Sequence, residues 1–228
     1  MEIITQSDNG LIEFIRRTYA WMCGGLLLTA LVAYVVASNQ TLTNFFFTNI
    51  IIFYGLILLE IILVGYLAFR VQKMSTASAK GIFLAYAALN GVTLSLLFII
   101  YTSSSIALTF LVTAGMFGLM SLYGYFTKKD LTTMGHIALM ALFGLIIASL
   151  INLFLSNSGL YWITTYAGVL IFTVLIAYDA QKLKQLYVLG QNTVGGEVKE
   201  SIIGALTLYL DFINLFINLL RIFGKRRD

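Results

Sequence analysis

TLYLDFINLFINLLRIFG, residues 207–224, has the length and apolar character of a membrane span, yet it carries Asp211, Asn214, Asn218 and Arg221. On a helix turning 100° per residue, Thr207, Asp211, Asn214, Asn218 and Arg221 fall within an arc of roughly 80°, spread along about 20 Å of axis. Phe212, Phe216 and Phe223 point the other way. A central Asp or Arg facing lipid costs at least about 2.5 kcal/mol, so the stripe is expected to face a bundle interior or a wet cavity. Hydrogen bonding between helices accounts equally well for the two Asn. For Asp211 a functional role is the stronger reading.

The rest of the chain supplies the bundle. Of 228 residues, 60% are hydrophobic and 11% charged, far from the soluble profile in which roughly a quarter are charged. Stretches long enough to cross a hydrocarbon core occur at 18–38, 48–69, 81–102, 106–126, 136–155, 160–180 and 201–223. Backbone amides in lipid must be bonded internally, so runs of this length predict helices rather than barrel strands. The expected fold is therefore all-α: a single polytopic domain over 1–228, with seven transmembrane helices and the last one central. Little chain remains outside the bilayer for a soluble catalytic domain, and the polar MEIITQSDNGLIEFIRR ahead of the first span does not read as a cleavable signal.

Charge sets the expected orientation. Connections with Arg16 and Arg17, with Arg70, Lys73 and Lys80, with Lys128 and Lys129, and with Lys182, Lys184 and Lys199 alternate with connections that carry no charge. The amino terminus is thus expected in the cytosol. The same rule accounts for the net charge of +4 without nucleic acid, which is not an expected partner. Seven full crossings put the basic GKRRD on the uncharged side. The last helix either crosses with that end tolerated or dips in and returns, and its length without proline favours crossing. The single Cys23 excludes an internal disulfide and reads as a small packing residue, while His136 reads as interfacial rather than as a ligand. Gly91 with Ser95, Ala114 with Gly118, and Gly144 with Ala148 are spaced for close helix packing.

Two further acids need a reason. Asp179, in LIAYDAQKLK, lies near the charged end of the sixth span, at similar depth to Asp211 on an antiparallel neighbour, so the two carboxyls are placed to face each other. Such a pair shares a proton and titrates as a unit. Deprotonated, it is a hard oxygen site suited to calcium, which takes 6–8 oxygens that Asn214, Asn218 and waters complete; proton and cation then compete. Glu60, in mid-span, marks a hydrated path or a protonated acid. Arg70 is the candidate partner of the acids at that end, with snorkelling to the interface as the plainer reading.

LYLDFINLFINLLRIFG, with IAYDAQKL before it and TKKDL after the fourth span, resembles the Bax inhibitor-1 family, also called the transmembrane Bax inhibitor motif family. The resemblance runs over essentially the whole chain, and its compactness looks like a bacterial member. It implies a seven-helix bundle with the last helix central and a pH-sensitive calcium leak governed by an aspartate pair, here Asp179 and Asp211. It also implies a basic latch at the end of helix two, from whose register Arg70 is displaced by one position. The charged tail of some eukaryotic members has no counterpart beyond GKRRD.

The expected function is a pH-sensitive calcium leak channel, not an enzyme, with no cofactor but calcium as permeant or bound ion. Asn214, Asn218, Arg221, Glu60 and Arg70 are its pore or gate candidates. Its expected location is the bacterial inner membrane, or the endoplasmic reticulum in a eukaryote. The alternative is a membrane protein that modulates other membrane proteins, in cell death or quality control. An intramembrane aspartyl protease also pairs two such acids. Those enzymes resemble one another in a Gly-x-Gly-Asp around the second acid and a Pro-Ala-Leu further on, whereas Leu208, Tyr209 and Leu210 precede Asp211 and the chain has no proline.

Overall fold

A computed structural model of the chain describes residues 2–191 and 195–227, with side chains from residue 9 onward. It is built of α1 (Glu2–Ser38), α2 (Gln40–Phe47), α3 (Ile50–Arg70), α4 (Thr76–Ile100), α5 (Ser103–Phe126), α6 (Thr132–Leu155), α7 (Ser158–Gln191) and α8 (Gly196–Phe223). Seven of these, all but α2, are long and apolar enough to cross a membrane. The short α2 has no counterpart among the expected elements. Asn39 starts it by accepting from the amides of Thr41 and Leu42, and Asn49 starts α3 by accepting from Ile51.

Two spans run well past their expected limits. α1 is helical ahead of the expected start at 18, where Phe14 is buried on one side while Glu13 meets Arg16 and Arg17 on the other. α7 continues to Gln191 because Ala180, Leu183 and Tyr187 keep a helical apolar row buried beyond the expected end at 180.

Close contacts divide the chain into two compact units. Among the described residues the first holds 2–100, 183–191, 195–209 and 227, with Phe83, Ala87, Ile202, Leu208 and Tyr209 fully buried in it. Here α1 and α4 pack closely because Gly91 leaves room: a Cβ on it would lie 2.7 Å from the carbonyl oxygen of Thr29. The other two small-residue pairs do not behave this way, since Gly118 and Gly144 face open space. Cys23 is exposed rather than packed.

The second unit holds residues 101–182 and 210–226. Its α5 meets α8 through Phe110 and Phe117 against Phe212, and meets α7 where Gly124 lies on the backbone of Ala177. Gly135 of α6 sits on the ring of Tyr178. After α8 the tail pairs with the turn between α4 and α5: Thr102 N–H donates to Lys225 O at 2.9 Å, and Lys225 N–H donates to Ser105 Oγ at 2.9 Å.

α8 is the enclosed element. Of its most apolar window 72% is buried, against 6% for α6. It runs for 28 residues without a break, about 42 Å, and ends on the α4–α5 turn. A helix that dips and returns needs a break to turn back, and α8 has none.

Candidate functional site

Burial carries the polar stripe of α8. Asp211 and Asn218 are buried, Thr207 and Asn214 half-buried, and Arg221 is exposed at the helix end. Each Asn turns its amide onto its own helix: Asn214 Nδ2 donates to Leu210 O and Asn218 Nδ2 to Asn214 O, both at 2.8 Å. That satisfies one donor apiece and leaves the carbonyl oxygens available as acceptors. Asn218 also lies against Gly168 of α7, where any Cβ would press into the amide.

The structure brings Asp179 and Asp211 together. Their carboxyls hydrogen-bond side chain to side chain, Asp179 at 9% exposure and Asp211 at 5%. A carboxylate has no donor, so a bond between two carboxyls requires that one of them holds a proton. The remaining Asp211 Oδ2 is buried without a partner. Tight contact holds the pair in place, with Gly124 against Ala177 two residues before Asp179 and Gly135 against Tyr178 one residue before it.

Two residues after Asp179, Gln181 adds a clamp that the sequence reading missed. Leu131 N–H donates to Gln181 Oε1 at 2.9 Å, and Gln181 Nε2 donates to Lys129 O at 2.8 Å. The TKKDL and IAYDAQKL motifs are thus tied by both ends of one amide. Outside the spans, hydrogen bonds from the Thr132 side chain and from Thr132 N–H, the latter at 2.9 Å, hold the Asp130 carboxyl below its ordinary value.

Glu60 is half-buried in the first unit and is not unpaired. It accepts from Thr93 Oγ1 at 2.9 Å and from Asn90 Nδ2 at 3.5 Å. Tyr209 OH donates to Asn90 Oδ1 at 3.2 Å and lies 2.7 Å from Thr29 Oγ1, which in turn donates to Ala87 O. A polar chain therefore runs from α3 through α4 to α8 and α1. Asn90 and Thr93, in LNGVTLS, carried the same signal of polarity in mid-span as Asn214.

Arg70 ends α3, is exposed, and forms no ion pair among the described residues. Its neighbour by two, Gln72, donates instead to Glu200, a buried acid that the sequence reading passed over. Exposed His136 fits an interfacial place.

Asn214, Asn218 and Arg221 share one cavity of about 330 Å³, walled by α6 residues such as Leu145 and Leu150 and by Thr164 of α7. Asp179 and Asp211 do not line it. Among the described residues no group of three or more His, Cys, Asp or Glu could hold a metal ion.

The chain matches, over residues 11–228, the family model described as Inhibitor of apoptosis-promoting Bax1. It belongs to the Bax inhibitor-1 family. Among its relatives in that family is the inner membrane protein YbhL of Escherichia coli K12, 49% identical over 225 residues, covering 98% of this chain and 96% of YbhL. RP147 of Rickettsia prowazekii is 43% identical over 225 residues, with 97% and 93% covered. The membrane protein SpyM3_0260 of Streptococcus pyogenes is 40% identical over 227 residues, with 98% and 97% covered. Two of the relatives of this Bax inhibitor-1 family member, YbhL and SpyM3_0260, are named as membrane proteins.

Proposed function

We propose that this protein is a proton-regulated cation leak of the inner membrane, with Asp179 and Asp211 as sensor and calcium as the permeant ion. The carboxyl–carboxyl bond between α7 and α8 carries this reading. Two acids in so dry a site hold one proton between them, and losing it leaves two like charges side by side. Separation of the charges or arrival of a divalent cation relieves the repulsion. Protons and calcium then compete for the pair, so calcium binding there weakens as pH falls. The location follows the relative YbhL, which is named for the inner membrane.

The test is calcium flux into proteoliposomes of the purified protein across a pH series, beside Asp179→Asn and Asp211→Asn. Either substitution is expected to remove most of the pH dependence. Flux absent at every pH, or an unchanged profile in both variants, would sink the mechanism. The family description, inhibitor of an apoptosis-promoting protein, supports a second reading in which the chain modulates other membrane proteins. Under that reading the purified chain alone carries no flux.

A further inference from the structure

We infer that the cavity at the end of α8 is a binding site for one anionic phospholipid, its phosphate held by Arg221 and an acyl chain lying along α6. Three observations meet here. The first is depth. Arg221 places its guanidinium 5.5 Å from the centre of the Tyr161 ring, and Tyr161 begins the row Tyr161, Trp162 and Tyr166 on α7. Trp and Tyr collect where headgroups meet hydrocarbon, so this row sets Arg221 at headgroup level.

The second is shape. From Arg221 the cavity of about 330 Å³ runs along Leu153, Leu150, Ile146 and Leu142 of α6. Of these, Leu153, Leu150 and Ile146 are exposed, so the cavity opens toward the bilayer. Its volume is at the small end for a site that takes one ligand, and its walls carry no charge besides Arg221. A wet cation path does not run beside a fixed positive charge and an open aliphatic wall; an acyl chain under a phosphate does.

The third is charge. Arg221 makes no ion pair among the described residues, and Lys225 and Arg226 follow it, exposed and pinned to the α4–α5 turn. On α8 the nearest acid, Asp211, lies about 15 Å away along the axis. Among the described residues of this unit the other acids are Asp179, paired with Asp211, and Asp130 before the first turn of α6. Among the described residues the cavity mouth is thus cationic with no counter-charge beside it. Arg presents a planar fork of donors that matches a phosphate.

The site can be read without the leak. The chain has two tryptophans, Trp21 and Trp162, so a Trp21→Phe variant leaves Trp162, beside Tyr161, as the sole emitter. Reconstituted into liposomes of equal phosphatidylglycerol and phosphatidylcholine, it is challenged with acyl-brominated forms of each lipid, which quench on contact. One Arg at the surface predicts an enrichment of the anionic lipid of about fivefold at low salt. Quenching by brominated phosphatidylglycerol should accordingly exceed that by brominated phosphatidylcholine.

The preference should fall most with Arg221→Gln, less with Arg221→Lys, and be unaffected by Arg70→Gln. Equal quenching by the two lipids, or a preference unchanged in Arg221→Gln, overturns the site. Should Arg221→Gln fail to fold, the same preference measured in 1 M salt replaces it: screening must reduce the preference, and persistence at full size overturns the site. Brominated stearate quenching as well as the phospholipid would mean a free fatty acid as occupant and overturns the assignment to phospholipid.

Discussion

Glu60 shows how a charge in mid-span is made tolerable. Thr93 and Asn90 both donate to it, so the carboxyl is satisfied without an ion pair. The hydrogen count further along is short. Thr29 gives its hydroxyl hydrogen to Ala87 O, so the one hydrogen of Tyr209 must serve either Thr29 or Asn90. A proton on Glu60 with the Asn90 amide turned over satisfies all of them: Glu60 donates to Asn90, Asn90 to Tyr209, Tyr209 to Thr29. Glu60 thus ends a polar chain that lies within the first unit. Glu60→Gln is expected to lower the rate of calcium flux while leaving its pH midpoint nearly in place. A midpoint moved as far by Glu60→Gln as by Asp179→Asn would show that sensor and pathway are wrongly divided.

At the level of the element, hydropathy alone does not say which face of a helix meets another helix. Lipid and neighbouring helices are equally apolar, so small residues and polar stripes carry that information. Of three small-residue pairs spaced alike, only the one around Gly91 lies at a tight crossing. Gly91→Ala drives a Cβ onto a backbone carbonyl that cannot move aside and is expected to cost about 1–3 kcal/mol. Gly118→Ala meets nothing within 4 Å and should stay within about 0.5 kcal/mol of the parent. Denaturant titration of both variants in mixed micelles tests the contrast; equal losses would mean that the α1–α4 crossing is looser than it stands here. α8 needs no such inference, because its polar stripe in LDFINLFINLLR already demanded enclosure and it is the most enclosed span.

For the molecule as a whole, the end of the chain was the open question of topology. Charge counting set GKRRD against the positive-inside rule, and the structure ties Lys225 and Arg226 to the α4–α5 turn, the end of α5 opposite to Lys128 and Lys129. In a Cys23→Ser background, Ser104→Cys and Lys225→Cys should therefore react with an impermeant thiol reagent from one side of sealed vesicles, and Lys129→Cys from the other. Ser104 and Lys225 reacting from opposite sides would mean that α8 turns back. What the sequence determined by itself was the solvent, the spanning helices and their number, since an amide in hydrocarbon must bond within its own segment and about 20 apolar residues meet that need. It also marked Asp179, Asp211 and Glu60, because a charge in a span calls for a reason wherever it lies. Their partners, the Gln181 clamp and the split of the α8 stripe between an acid pair and a lipid-facing cavity were decided by tertiary structure. A helix in lipid keeps its length whichever way it is rotated, and only packing against neighbours selects the rotation.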